Sequence, residues 1–136
     1  MRNVRYIKIV AVYLLIVFSS QTFSADQEIL LNKYIQEGAS SFSAERGKKL
    51  WFSVNKGKAP FNERSCTSCH TQDLKKTGKH IRTNKPIDPM APSINPNSLS
   101  NSKNVEKWFK RNCKWTLGRE CSVQEKGDII TYIQGH

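Results

Sequence analysis

Cys66, Thr67, Ser68, Cys69 and His70 spell C-x-x-C-H, the spacing through which a haem is fixed covalently to a polypeptide. Each residue type has its own task. Two thiols separated by two residues add to the two vinyl groups at one haem edge, and the adjoining imidazole reaches the iron from one face. A C-x-x-C pair alone serves as a redox couple or as half a zinc site. A zinc site would need a second, closely spaced pair, whereas Cys113 and Cys121 have seven residues between them. A thioredoxin-like pair would sit within a strand and helix repeat, and this one precedes a proline-rich stretch. One motif implies one haem c, attached through Cys66 and Cys69 with His70 as the first metal ligand.

The compartment follows from the other end of the chain. Arg2, Arg5 and Lys8 precede an apolar run from Ile9 to Phe18, and Ser19, Ser20, Thr22, Ser24 and Ala25 follow, the layout of a secretory signal peptide. Ten apolar residues rise only about 15 Å as a helix against about 30 Å of hydrocarbon, so no stable membrane anchor is expected after cleavage. Residues 1–25 are therefore read as the signal peptide and 26–136 as one haem domain, periplasmic or otherwise exported, with cleavage after Ser24 or Ala25. Export favours a disulfide between Cys113 and Cys121 over two free thiols.

The 136 residues exclude a large multi-domain enzyme, and 38% hydrophobic with 24% charged residues excludes a disordered chain. The formal charge is +11, and the residues after position 25 keep 19 basic and 11 acidic side chains. In an exported protein such a balance points to acidic protein partners or anionic surfaces and not to nucleic acid. Lys75, Lys76, Lys79 and Lys85 are candidates to steer an acidic redox partner.

Helices have to position the motif. Ile29, Leu30, Tyr34 and Ile35 fall on a helical period between Asp26 and Ser43, with Gly38 as the stop. Ser43 caps a second helix through Leu50, Trp51 and Phe52, which Gly57 and Pro60 end. Pro86, Pro89, Pro92 and Pro96 make residues 71–100 a long loop, and a loop of that length needs something large to wrap. A helix from about Ser102 to Asn112 follows, then one opening on the capping box of Ser122 and Glu125 with Ile129, Ile130 and Ile133 as its buried stripe. No convincing strand alternation is present, so the expected class is all-α.

Three residues compete for the other face of the iron. Met90 offers a thioether in a loop C-terminal to the motif, the ordinary electron-carrier arrangement, or else packs as filler. His80 lies ten residues after His70 and reads more readily as a solvated loop histidine. Asn112 completes the series Val105, Trp108, Phe109, Asn112 on one helical face, or else ends the helix in a left-handed conformation. Spacing alone ranks Met90 slightly ahead.

The stretches AERGKKLWF, SCTSCH, GKHIRTNKPIDPMAPSINP and VEKWFKRNCKWTLGREC resemble the Sphaeroides haem protein family of c-type cytochromes over about Ala44 to Ile133. The resemblance implies a small class I cytochrome c-like fold around one haem. It also implies that Asn112, just before the first disulfide cysteine, ligates ferric iron and is released on reduction, which lets O2 or NO bind. Met90 stands where some members carry leucine.

The leading expectation is thus an exported monohaem cytochrome c in electron transfer, with His70/Asn112 ligation and a gas site on the reduced form. The alternatives are a plain His70/Met90 carrier and a haem enzyme reducing oxygen, peroxide or a small organic oxidant. No acid–base constellation supports an enzyme: His80 and His136 have no visible partner and the carboxylates are scattered. A sensor would need an effector that the sequence does not display.

Overall fold

The computed structural model describes residues 24–136; the signal-peptide reading falls mainly on residues outside that range. Five helices and two small hairpins follow in the order α1 (Ala25–Gln36), α2 (Ala44–Phe52), β1 (Asn55–Lys58), β2 (Phe61–Arg64), α3 (Thr67–His70), β3 (Gly78–Lys79), β4 (Pro86–Ile87), α4 (Ser102–Leu117) and α5 (Val123–Gln134).

Each long helix starts on a side chain that satisfies a first-turn N–H. Ser43 Oγ accepts from the Arg46 N–H at the start of α2, and Asn101 does the same for Asn104 on α4. Ser24 with Gln27, and Ser122 with Glu125, close reciprocal capping boxes on α1 and α5. Ile129, Ile130 and Ile133 are buried on α5 as expected. On α1 the stripe is narrower than the sequence suggests: Leu30 and Tyr34 are buried while Ile29 and Ile35 are 61% and 46% exposed.

The crossing of α2 on α5 is the principal helix contact, with α1 laid against α4 and α5. Helix α5 contributes to two apolar clusters. Trp51, Leu74, Ala91, Ile129, Tyr132 and Ile133 form one cluster, against which Cys66, Met90 and Phe109 pack. Leu30, Tyr34, Val105 and Ile130 form the other.

Two expectations need correction. The chain is mostly helical and not purely so: Gly57 and Pro60 belong to an antiparallel hairpin in which Asn55 pairs with Arg64 and Lys58 with Phe61, and Gly78 pairs with Ile87 in a second one. Short polar strands such as NKGK bury too little to show a period of two. The other correction concerns α4, which runs to Leu117 and ends on Gly118 at φ +73°. Asn112 therefore sits inside the helix, and the left-handed end belongs to the glycine. Residues 71–100 stay largely irregular, apart from the small β3–β4 pair.

Candidate haem site

Backbone constraint begins with Ser65, whose N–H bonds to Ser68 Oγ at 3.0 Å and whose hydroxyl lies 2.6 Å from Thr67 Oγ1. These contacts wind residues 65–70 into the single turn of α3, closed by the His70 N–H on the Cys66 carbonyl at 3.1 Å. Both thiols are unpaired and partly buried. Gly78 backs this turn so closely that a Cβ there would meet the Cys69 carbonyl at 2.2 Å, which reserves the position for glycine.

The motif is partly covered by its neighbours. Burial pushes the Cys66 thiol up to about 12 and the His70 imidazole down to about 4, so the thiol stays protonated and the ring neutral near pH 7. Trp51 packs on His70 with ring centroids 5.3 Å apart at 45°, and the covered Nδ1 of His70 has no hydrogen-bond partner. A neutral imidazole and two free thiols on one turn suit covalent haem attachment and iron ligation. Cys113 and Cys121 are bonded to each other with Cα atoms 5.6 Å apart, which removes the two thiols a four-cysteine zinc site would need. The bridge leaves α4 one turn before its end, not at its terminus, and reaches the residue preceding Ser122.

The candidate second donors are far apart in character. Met90 is partly buried on the Trp51–Leu74 cluster; its carbonyl accepts from Ser98 Oγ at 2.6 Å, and the next residue, Ala91, donates to the Leu74 carbonyl at 2.9 Å. Asn112 is exposed on α4, as is Trp108 one turn earlier. The apolar face expected through Val105, Trp108, Phe109 and Asn112 thus splits: Val105 is buried, Phe109 partly so, and the helix covers Cys113 and Thr116 instead. His80 is exposed, and its Nδ1 accepts from the Arg82 and Thr83 N–H groups at 3.3 and 3.2 Å; it caps a turn. His136 meets the Tyr132 ring edge at 5.0 Å. Lys75, Lys76, Lys79 and Lys85 are all exposed.

Sequence reasoning missed Trp51 as the neighbour of His70. Its place on the capped α2, four residues after Gly47, was visible, but the contact depends on how α2 and α3 meet.

Among known proteins, the family model described as a domain of unknown function (DUF1924) matches residues 37–133. The cytochrome c-type protein SHP of Cereibacter sphaeroides is 38% identical over 104 residues, which cover 76% of this chain and 79% of that protein. Cytochrome c'' of Methylophilus methylotrophus is 37% identical over 90 residues, 60% of this chain and 62% of the relative. The fold superposes on oxidised SHP, described as an oxygen-binding cytochrome c, with a TM-score of 0.74 and 35% identity, covering 84% of this chain and all of the other. Oxidised cytochrome c'' of M. methylotrophus gives a TM-score of 0.68 at 33% identity, covering 79% and 92%. The helical frame shared with these relatives and the C-x-x-C-H turn together make this a monohaem c-type cytochrome, and the chain belongs to the SHP-like cytochrome c (DUF1924) family.

Proposed function

We propose that the protein is an exported electron-transfer cytochrome whose second iron ligand, Asn112, is released on reduction so that O2 or NO can bind. When bound, the haem supplies a one-electron redox change and a coordination position for a diatomic gas. Cys66 and Cys69 hold it covalently, and His70 presents a neutral ring nitrogen from a turn fixed by Ser65 and Ser68. The Asn112 amide oxygen is a hard donor that would favour the more highly charged iron; with ferrous iron its hold would be weaker and the side chain would be free to turn to solvent. Exposure of Asn112 on α4 gives it room to turn, and the disulfide at Cys113 holds the neighbouring backbone still.

The observation that carries this reading is the RNC block at residues 111–113 with its formed Cys113–Cys121 bridge, in a chain related to an oxygen-binding cytochrome. Met90 supports the competing reading of a plain carrier, because it packs against the cluster that contains Trp51, the neighbour of His70. Its packing on Trp51 and Leu74 neighbours equally suits a filler role. The partner is read as a redox protein with an acidic face, in keeping with the net charge. Among the described residues no helix is long and apolar enough to cross a membrane.

Two variants decide the ligand. Asn112→Ala is expected to turn the ferric haem high-spin by electron paramagnetic resonance, while Met90→Leu leaves it as in the wild type. The opposite pattern makes Met90 the ligand and removes the gated gas site.

A further inference from the structure

Lys103, Lys107, Lys110 and Lys114 recur on α4 at i, i+4, i+7 and i+11, which stacks them in one stripe, and Arg111 stands beside it. All five are exposed. The stripe carries no carboxylate. Glu106, three residues after Lys103 and four before Lys110, lies at the edge of the stripe, but it is occupied by Lys33 Nζ at 3.1 Å and Lys126 Nζ at 2.8 Å. Lys114 reaches Glu120 at 3.1 Å, and among the described residues Lys103, Lys107, Lys110 and Arg111 have no carboxylate within ion-pair distance.

An exposed aromatic ring lies within reach of two of these cations. Trp108 is 51% exposed, with Lys107 Nζ 5.7 Å and the Arg111 guanidinium 5.2 Å from its ring centroid. Cations over an indole face hold it open at little cost, and tryptophan and arginine dominate the energetic centres of protein interfaces. Asn112 follows Trp108 by one helical turn, on the side of α4 turned away from the lysines.

We propose that this outer face of α4 docks an acidic redox-partner protein, which sets carboxylates on Lys103, Lys107, Lys110 and Arg111 and an apolar side chain on Trp108. The inference rests on the electron-transfer reading above and adds the surface. Lysines of the 71–100 loop are the weaker site because exposed Asp73 and Asp88 interrupt them. A lipid surface is the weaker occupant, since interfacial helices insert a broad apolar face and this one exposes a single aromatic ring.

The test uses haem-loaded protein and two reductants in stopped flow: an acidic b-type haem protein as the partner probe, and a neutral photoreduced flavin that reads the haem directly. The triple variant K107E/K110E/R111E is expected to slow reduction by the acidic probe about tenfold or more at low salt and to flatten its salt dependence. Trp108→Ala should slow the reaction without changing the salt slope. The loop variant K75E/K76E/K79E should change it less than about twofold, and the flavin should reduce all variants alike. Loss confined to the loop variant, equal rates for every variant, or a stripe effect seen only as lost cosedimentation with phosphatidylglycerol vesicles overturns the docking face. If the flavin reduces the wild type and the acidic probe does not, docking fails while electron transfer stands; if neither reduces it, the electron-transfer reading fails and docking with it.

Discussion

Gly47 of α2 lies directly against the backbone carbonyl of Asp128 on α5: a Cβ at position 47 would come within 2.0 Å of that oxygen and 2.9 Å of the Tyr132 Cβ. No rotamer relieves a clash with backbone, so the helices would have to separate. Asp128 reinforces the crossing by accepting from the Ser43 N–H at 2.7 Å and from Arg46 Nε at 2.8 Å. Gly47→Ala is expected to destabilise the haem-loaded protein by about 3 kcal/mol, from overpacking. Urea unfolding followed by the haem absorption band reads the change, and a shift near zero would mean that the crossing is looser than described.

Acid should loosen the start of α5. The Arg119 guanidinium donates to both Glu125 carboxylate oxygens, at 2.7 and 2.8 Å, and holds the Glu125 carboxyl below its ordinary value of 4.5. A depressed carboxylate pKa stabilises the fold fully above the unfolded value and loses that contribution as pH falls through the folded one. Glu125→Gln is therefore expected to lower the melting temperature near pH 7, with its curve converging on that of the wild type below pH 4.5. Parallel curves from pH 7 to pH 3 would count against the ion pair.

The disulfide closes a short loop, from Cys113 to Cys121 at a sequence separation of 8. Chain-entropy reasoning credits such a loop with about 2 to 3 kcal/mol. Replacing both cysteines by serine should lower stability by that amount and change gas uptake by the reduced protein, because the residue beside Asn112 loses its tether. Unchanged gas binding in a folded double variant would remove the tether from the mechanism.

The sequence made some elements plain because their signals are local. Ser43, and Ser122 with Glu125, mark helix starts within a few residues, and the C-x-x-C-H spacing states its chemistry without reference to the fold. Asn112 misled as a helix end: asparagine suits a left-handed C-terminus, but Gly118 takes that place five residues after Cys113. The β1–β2 hairpin was hidden because NKGK and FNER have no alternation to detect, and the hairpin packs on α4, where Arg64 donates to the Trp115 carbonyl. The demand for glycine at position 47 exists only once α5 is laid across α2. The choice between Met90 and Asn112 belongs to the same class, since they come from distant segments and no local pattern specifies which of them faces His70.

The most direct test of Asn112 as a reduction-released ligand is the absorption spectrum of the purified haem-loaded protein, ferric and ferrous, with and without carbon monoxide or nitric oxide. With Asn112 as the ligand, the ferric form shows no near-infrared sulfur-to-iron band and the ferrous form is high-spin and takes up the gas. A ferric protein that shows the band, with a ferrous form that stays low-spin and inert to both gases, would contradict it and make Met90 the ligand.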